Sequence, residues 1–265
     1  MQPAADPREL LDWYVFAGVD VALQDEPANH FAAQAVVEQP VAPPRKAEVR
    51  SARAAKTADA VVPNDEVIAR AKDVAETAQT LADLREAMTS FEGCNLKATA
   101  RSTVFSDGNP DAKIMVIGEA PGRDEDEQGL PFVGKSGQLL DKMFGAIGLD
   151  RTSIYITNIL PWRPPGNRTP TPVEAAICKP FVDRHIALVA PDILVLVGGS
   201  SAKTMMQTQS GIMSVRGKLT EITLGDRSFP ALPMLHPAYL LRQPAHKRHA
   251  WADLLTLQAW LAEHG

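Results

Sequence analysis

Four short stretches of the chain are apolar at nearly every position: residues 113–117 (KIMVI), 154–157 (IYIT), 193–197 (ILVLV) and 231–235 (ALPML). Solid apolar runs of this length suit strands that are covered on both faces. Between them the period lengthens to that of a helix, over residues 137–147, 172–189 and 200–207. A closing helix carries Ala250, Leu254, Leu257 and Leu261 on one face. Ahead of the first strand, Asn64 or Asp65 can cap one helix. Thr80, with Asp83 three positions on, begins another, LADLREAMTSF. Residues 216–228 read as an edge hairpin turning at Gly225-Asp226. Buried strands alternating with helices predict an α/β fold, a three-layer α/β/α sandwich around a central, mainly parallel four-stranded sheet.

The N-terminal part has a different pattern. Residues 7–24 (PRELLDWYVFAGVDVALQ) read as a helix with Leu10, Leu11, Tyr14 and Phe16 as apolar cover, while residues 26–65 contain no Leu, Gly or Trp. Such a segment cannot bury enough apolar area to offset its ordering entropy, so it reads as a flexible tether. The expected division is an arm over residues 1–63 and a folded domain over 64–265.

Composition adds limits. Apolar residues make up 45% and charged residues 22%, ordinary for a soluble globular protein. No stretch approaches the roughly 18 apolar residues of a membrane helix, and the start, with Asp6, Glu9 and Asp12, does not resemble a signal peptide. Two cysteines exclude a disulfide scaffold and point to the cytoplasm. The net charge of −5 conceals a split: residues 1–90 hold 9 basic against 15 acidic groups, residues 151–265 hold 12 against 7. The acidity belongs to the arm, and the C-terminal half is basic enough to face nucleic acid.

Ligands of open α/β sheets gather at the carboxyl ends of the strands. Just past the four expected strands stand Gly118-Glu119-Ala120-Pro121-Gly122, then Asn158, then Gly198-Gly199, then His236-Pro237-Ala238-Tyr239. Each alone has a plain alternative. The glycine turn matches neither the dinucleotide fingerprint nor the Walker spacing, Asn158 can be a turn former, His236 a loop histidine, and Phe132 a core residue. Their convergence on one rim is what suggests a site.

Three longer motifs sharpen this: GEAPGRDEDEQGLPFVGKSGQLLD (118–141), NILPWRPPGNRTPTPVEAAICKPF (158–181) and HPAYLLR (236–242). In order and spacing they resemble the uracil-DNA glycosylase superfamily, above all its fourth family, which carries an iron–sulfur cluster. The resemblance runs from about Phe91 to Trp260. It implies an enzyme that flips uracil out of DNA and hydrolyses its N-glycosidic bond, leaving an abasic site, with uracil-containing DNA as partner and a monomer as the working form.

By the same resemblance, Gly118, Ala120, Phe132 and Asn158 bind the base. Phe132 stacks on the ring, and the Asn158 amide pairs with O4 and N3. The Glu119 and Ala120 backbone amides and His236 face O2, where charge develops as uracil leaves. Tyr239, Leu240, Leu241 and Arg242 wedge into the duplex and hold phosphate, and Gly199 and Ser200 offer helix N-terminal amides to a phosphate. Arg216, Lys218, Lys247 and Arg248 extend the basic surface. Some relatives place Asp or Asn where this chain has Ala120, which leaves Glu119, Asp124 and Glu125 as catalytic carboxylates, with Asp126 and Glu127 expected to be solvated. Excision of other deaminated bases, or DNA binding without catalysis, are the alternative readings.

The cluster group uses four cysteines, and the corresponding places here are Phe91, Cys94, Trp162 and Cys178. Cluster ligation normally takes four thiolates. Replacement of two by Phe91 and Trp162 leads to the expectation of no metal and no cofactor, with those two rings packed on each other.

Overall fold

The computed structural model describes residues 65–264. The helix expected over 7–24 and the tether expected after it lie outside them. Two helices come first, α1 (Asp65–Thr77) and α2 (Leu81–Ser90). Then follow β1 (Asp107–Gly108), β2 (Ile114–Gly118), α3 (Arg123–Gln128), α4 (Lys135–Gly145) and β3 (Ile154–Asn158). The second half contains α5 (Pro172–Val189), β4 (Ile193–Val197), α6 (Gly199–Met206), α7 (Ile212–Val215), β5 (Thr220–Leu224), β6 (Arg227–Met234), α8 (Pro237–Arg242) and α9 (Lys247–His264).

The caps explain several boundaries. Thr80 and Asp83 form the capping box that opens α2. At α5, the Thr171 hydroxyl accepts from the Glu174 N–H at 3.2 Å, and the Glu174 carboxylate accepts from the Thr171 N–H at 2.8 Å. Pro172, with no N–H to orphan, takes the first helical turn.

Among the described residues the strands form one sheet in the order β1-β3-β2-β4-β6-β5. The four inner strands are parallel, and each outer strand is antiparallel to its neighbour. Alternation along the inner strands divides two cores. Ile114 and Val116 of β2, with Ile193, Val195 and Val197 of β4, face a layer built from Leu140 and Phe144 of α4, Leu240 of α8, and Leu254 and Leu257 of α9. Met115, Ile117, Leu194 and Leu196 face the opposite layer, with Leu84 of α2, Phe181 and Ile186 of α5, and Ala202 of α6. The three-layer α/β/α class is as expected.

The sheet has six strands where four were expected. β5 is the outer arm of the expected hairpin, turning at Gly225-Asp226, and its inner arm runs without a break into the fourth apolar run, making one long β6. β1 is only two residues long. It pairs on β3 because Gly108, at φ 93°, brings its backbone against the Ile154 carbonyl, where a Cβ would collide.

Two further expectations are corrected. Asp126, expected to be solvated, is buried in α3, and its carboxylate accepts the Arg101 and Ser102 N–H groups at 2.8 and 3.1 Å. Phe91 and Trp162 are both buried in the same core, but the ring partner of Phe91 is Phe181, edge-on at 5.2 Å. The Trp162 indole N–H donates instead to the Thr103 hydroxyl at 3.1 Å. Among the described residues no helix is long and apolar enough to cross a membrane.

Candidate active site

The parallel register aligns the ends of β2 and β3, so that Gly118 lies directly opposite Asn158. Beyond the carboxyl ends of β2, β3, β4 and β6 opens a cavity of about 730 Å³, lined by residues that include Glu119, Ala120, Phe132, Asn158, Gly199 and His236. Tyr239 and Arg242 of α8 line it as well.

Asn158 is 4% exposed and lines the cavity, where its amide can meet a ligand. Gly118 lies beneath the floor rather than in the lining. A Cβ there would collide with the Asn158 side-chain oxygen and sit 2.6 Å from a Phe132 ring carbon.

Phe132 is buried, with its backbone at φ 55°, in the left-handed region. Its ring stacks against that of His236, with centroids 5.7 Å apart and planes at 27°. His236 caps α8: its Nδ1 accepts the Ala238 N–H at 3.1 Å. With Nδ1 occupied as acceptor, the neutral ring carries its proton on Nε2. Burial, with the Arg242 charge nearby, draws its pKa down to about 4. The imidazole is therefore neutral at physiological pH and presents one N–H donor.

The three candidate carboxylates differ sharply. Glu125 is committed to the backbone, accepting from the Gly122, Val133 and Gly134 N–H groups, each at 3.0 Å. It clasps the glycine turn to the Phe132 loop, which corrects its assignment as a catalytic carboxylate. Glu119 is half-buried, and desolvation holds its carboxyl above the ordinary value. Asp124 is partly exposed at the rim, 3.7 Å from the Arg123 guanidinium.

The expected DNA-facing residues also divide. Leu240 is buried in the core and corrects the wedge reading at that position, whereas Leu241 is 44% exposed. Ser200, one residue into the α6 helix, is half-buried and outside the cavity lining. Arg216 is not a free basic group, because it is largely buried and paired with Asp253, which is fully buried.

Sequence reading missed one wall of the cavity, formed by Pro164, Asn167, Arg168 and Thr169. Arg168 is held there by Glu174, with two hydrogen bonds at 2.9 and 2.6 Å. The available signal was the Arg168 and Glu174 spacing across the Thr171 cap, which places a cation at the loop tip. Lys135 and Ser136, at the start of α4, complete the opposite side.

The family model described as Uracil DNA glycosylase superfamily matches residues 105–255. A Type-4 uracil-DNA glycosylase of Archaeoglobus fulgidus is 37% identical over 179 residues, covering 66% of this chain and 90% of that protein. One of Sulfurisphaera tokodaii is 38% identical over 170 residues, covering 62% and 77%. One of Thermotoga maritima is 34% identical over 175 residues, covering 65% and 90%.

These matches correct the expectation of a cofactor-free protein. The relatives are Type-4 glycosylases, the group associated above with an iron–sulfur cluster, so kinship points toward a cluster rather than away from it. The residues at the four corresponding places do not form a four-thiolate set. Cys94 and Cys178 are both buried, and Phe91 and Trp162 fill the other two positions. With the fold, the cavity and the matched motifs in agreement, the chain belongs to the uracil-DNA glycosylase superfamily, within its fourth family.

Proposed function

We infer that the protein excises uracil from DNA, flipping the base into the cavity between Phe132, Asn158 and His236 and hydrolysing its N-glycosidic bond. The observation that carries this is the Asn158 amide in the wall of the cavity, beside an aromatic ring and a neutral imidazole donor. An amide offers a donor and an acceptor side by side, which match O4 and N3–H of uracil. Cytosine presents the reversed pair, so its selection against follows from unpaired polar groups on both sides.

As the glycosidic bond breaks, uracil leaves with negative charge spread over O2 and O4. The His236 Nε2–H, aimed from a desolvated ring, supports that charge without a proton having to be taken up first. The Glu119 and Ala120 backbone amides are assigned to the same oxygen. Glu119, desolvated and without a hydrogen-bonded partner among the described residues, is the carboxylate we assign to the attacking water. Asp124 stays in a supporting place at the rim. Gly199, Tyr239, Leu241 and Arg242 are assigned to DNA backbone and duplex, on the basic half of the chain. The reading extends to a catalytic domain over residues 64–265 that acts as a monomer in the cytoplasm.

The test is release of uracil from single-stranded and mismatched DNA by wild type and His236→Ala. Losing one such donor costs on the order of 10²–10³ in rate. An unchanged rate in His236→Ala removes the assigned role of the histidine, and a wild type that releases no uracil removes the function.

A further inference from the structure

Phe132 has a backbone conformation that non-glycine residues avoid. A φ of 55° persists in such a residue only where its surroundings over-determine it. The peptide unit that follows Phe132 is gripped at both polar ends. Its N–H, on Val133, donates to Glu125 at 3.0 Å. Its carbonyl, on Phe132, accepts from a terminal nitrogen of Arg151. The preceding carbonyl, on Pro131, accepts from the other terminal nitrogen at 3.3 Å.

Arg151 is itself fixed. Its Nε donates to Asp141 of α4 at 2.9 Å, a terminal nitrogen reaches the second Asp141 oxygen at 3.4 Å, and another pairs with Asp107 of β1. The fork thus makes five hydrogen bonds, two of them to the Phe132 loop, and its side chain is 27% exposed. Nothing in the cavity lining includes Arg151, so its influence on the site passes through the loop. Gly137 closes the arrangement from below, because a Cβ there would overlap the Phe132 carbonyl.

We propose that Arg151 is a positioning residue for excision, setting the backbone of Phe132 so that its ring stacks against His236 and over the flipped base. The proposal rests on the base-stacking place given to Phe132 above. Without the guanidinium, the 132–133 peptide keeps only its Glu125 end, the left-handed conformation loses half its support, and the ring swings out of register with Asn158. A planar five-donor fork is required. A lysine at 151 brings a point charge with three donors and cannot span both carbonyls and both carboxylates.

The experiment is a double-mutant cycle on single-turnover uracil release, with Arg151→Met, Phe132→Ala and the double variant, each checked for folding by circular dichroism. Arg151→Met is expected to slow release on the order of 10–100-fold, the scale of a misplacement of about 1 Å at a reacting centre. In the Phe132→Ala background the same substitution is expected to cost almost nothing, since the ring it positions is gone. Arg151→Lys is expected to recover part of the rate, and it supplies the same cycle if Arg151→Met does not fold. Equal losses in both backgrounds, an Arg151→Met rate within about threefold of wild type, or full recovery by lysine would each overturn the proposal. Absence of release by wild type would show in that arm alone and would overturn the function on which the proposal rests.

Discussion

Gly118→Ala adds one methyl group beneath the cavity floor, and the structure indicates how much must give. The new Cβ would lie 2.6 and 2.7 Å from two Phe132 ring carbons and would overlap the Asn158 side-chain oxygen. Comfortable carbon–carbon contact begins near 3.5 Å, so the ring or the strand must move by about 1 Å. The strand cannot oblige. Gly118 is in register with Asn158 on β3, and β4 flanks β2 on its other side, so a shift of β2 strains the sheet. The two side chains must therefore turn, and they are the groups assigned to stacking and to the uracil edge. Overpacking of this kind costs about 1–3 kcal/mol of stability, a fall in Tm of roughly 2–12 °C for a domain of this size. The kinetic cost should be larger in proportion, on the order of 10²-fold in kcat/KM for uracil release, measured well below the new Tm. Gly145→Ala is the control. Its Cβ meets nothing within 4 Å at the end of α4, so activity should hold and stability rise by up to about 1 kcal/mol. If Gly118→Ala releases uracil within about threefold of wild type, the Phe132–Asn158 geometry does not set the rate.

Asn158→Ala should lose roughly 1–3 kcal/mol of discrimination between uracil and cytosine while melting near the wild-type temperature; full uracil release by this variant would refute its role. Excision should decline on acidification as Glu119 takes up its proton above its ordinary pKa, and Glu119→Gln, slower throughout, should lack that limb in a pH–rate profile. His185, drawn to about 3 by burial, and His236, at about 4, stay neutral in the fold while the unfolded chain binds their protons below 6.5. Their stabilisation is complete above that value and shrinks as pH falls. Asp253, pushed up to about 6, runs the other way and loses stability as pH rises from 3.8. The two histidines outweigh it, so Tm should drop from pH 7 to 5, and His185→Gln should flatten that drop. Asp253→Ala should destabilise by about 3–5 kcal/mol in denaturant titration, because it strands a largely buried Arg216 without its partner.

The inner sheet was legible because four consecutive strands are buried on both faces, which leaves a solid apolar run in the sequence. α5 was legible to the residue because Pro172 opens it. β1 was not, since two residues, Asp107 and Gly108, carry no pattern and pair only through a glycine backbone. Of the site, Asn158, Phe132 and His236 stood out by residue type at strand ends and within the matched motifs. The roles of Glu125 and Arg151 did not. Glu125 was read as a catalytic carboxylate, and it turns out to accept three backbone N–H groups, one of them nine positions away. The partners of Arg151 lie 10 to 44 positions off, on β1, α4 and the Phe132 loop, so no local spacing announces them. Leu240 was misread for the opposite reason. It sits inside a matched motif whose function belongs to its neighbours, while its own side chain is core.

The two margins of the sheet deter unwanted pairing by different means. β1 is too short to template another chain, offering only two residues to a would-be neighbour. β5 is longer and leaves one row of backbone donors and acceptors open, yet it turns Ile222 inward and sets Glu221 and Thr223 outward, with Lys218, Asp226 and Arg227 exposed close by. A second strand approaching that row would have to strip water from charges of both signs before gaining a single hydrogen bond. Among the described residues, the sheet is thus guarded against growing into a fibre at one side by brevity and at the other by charge.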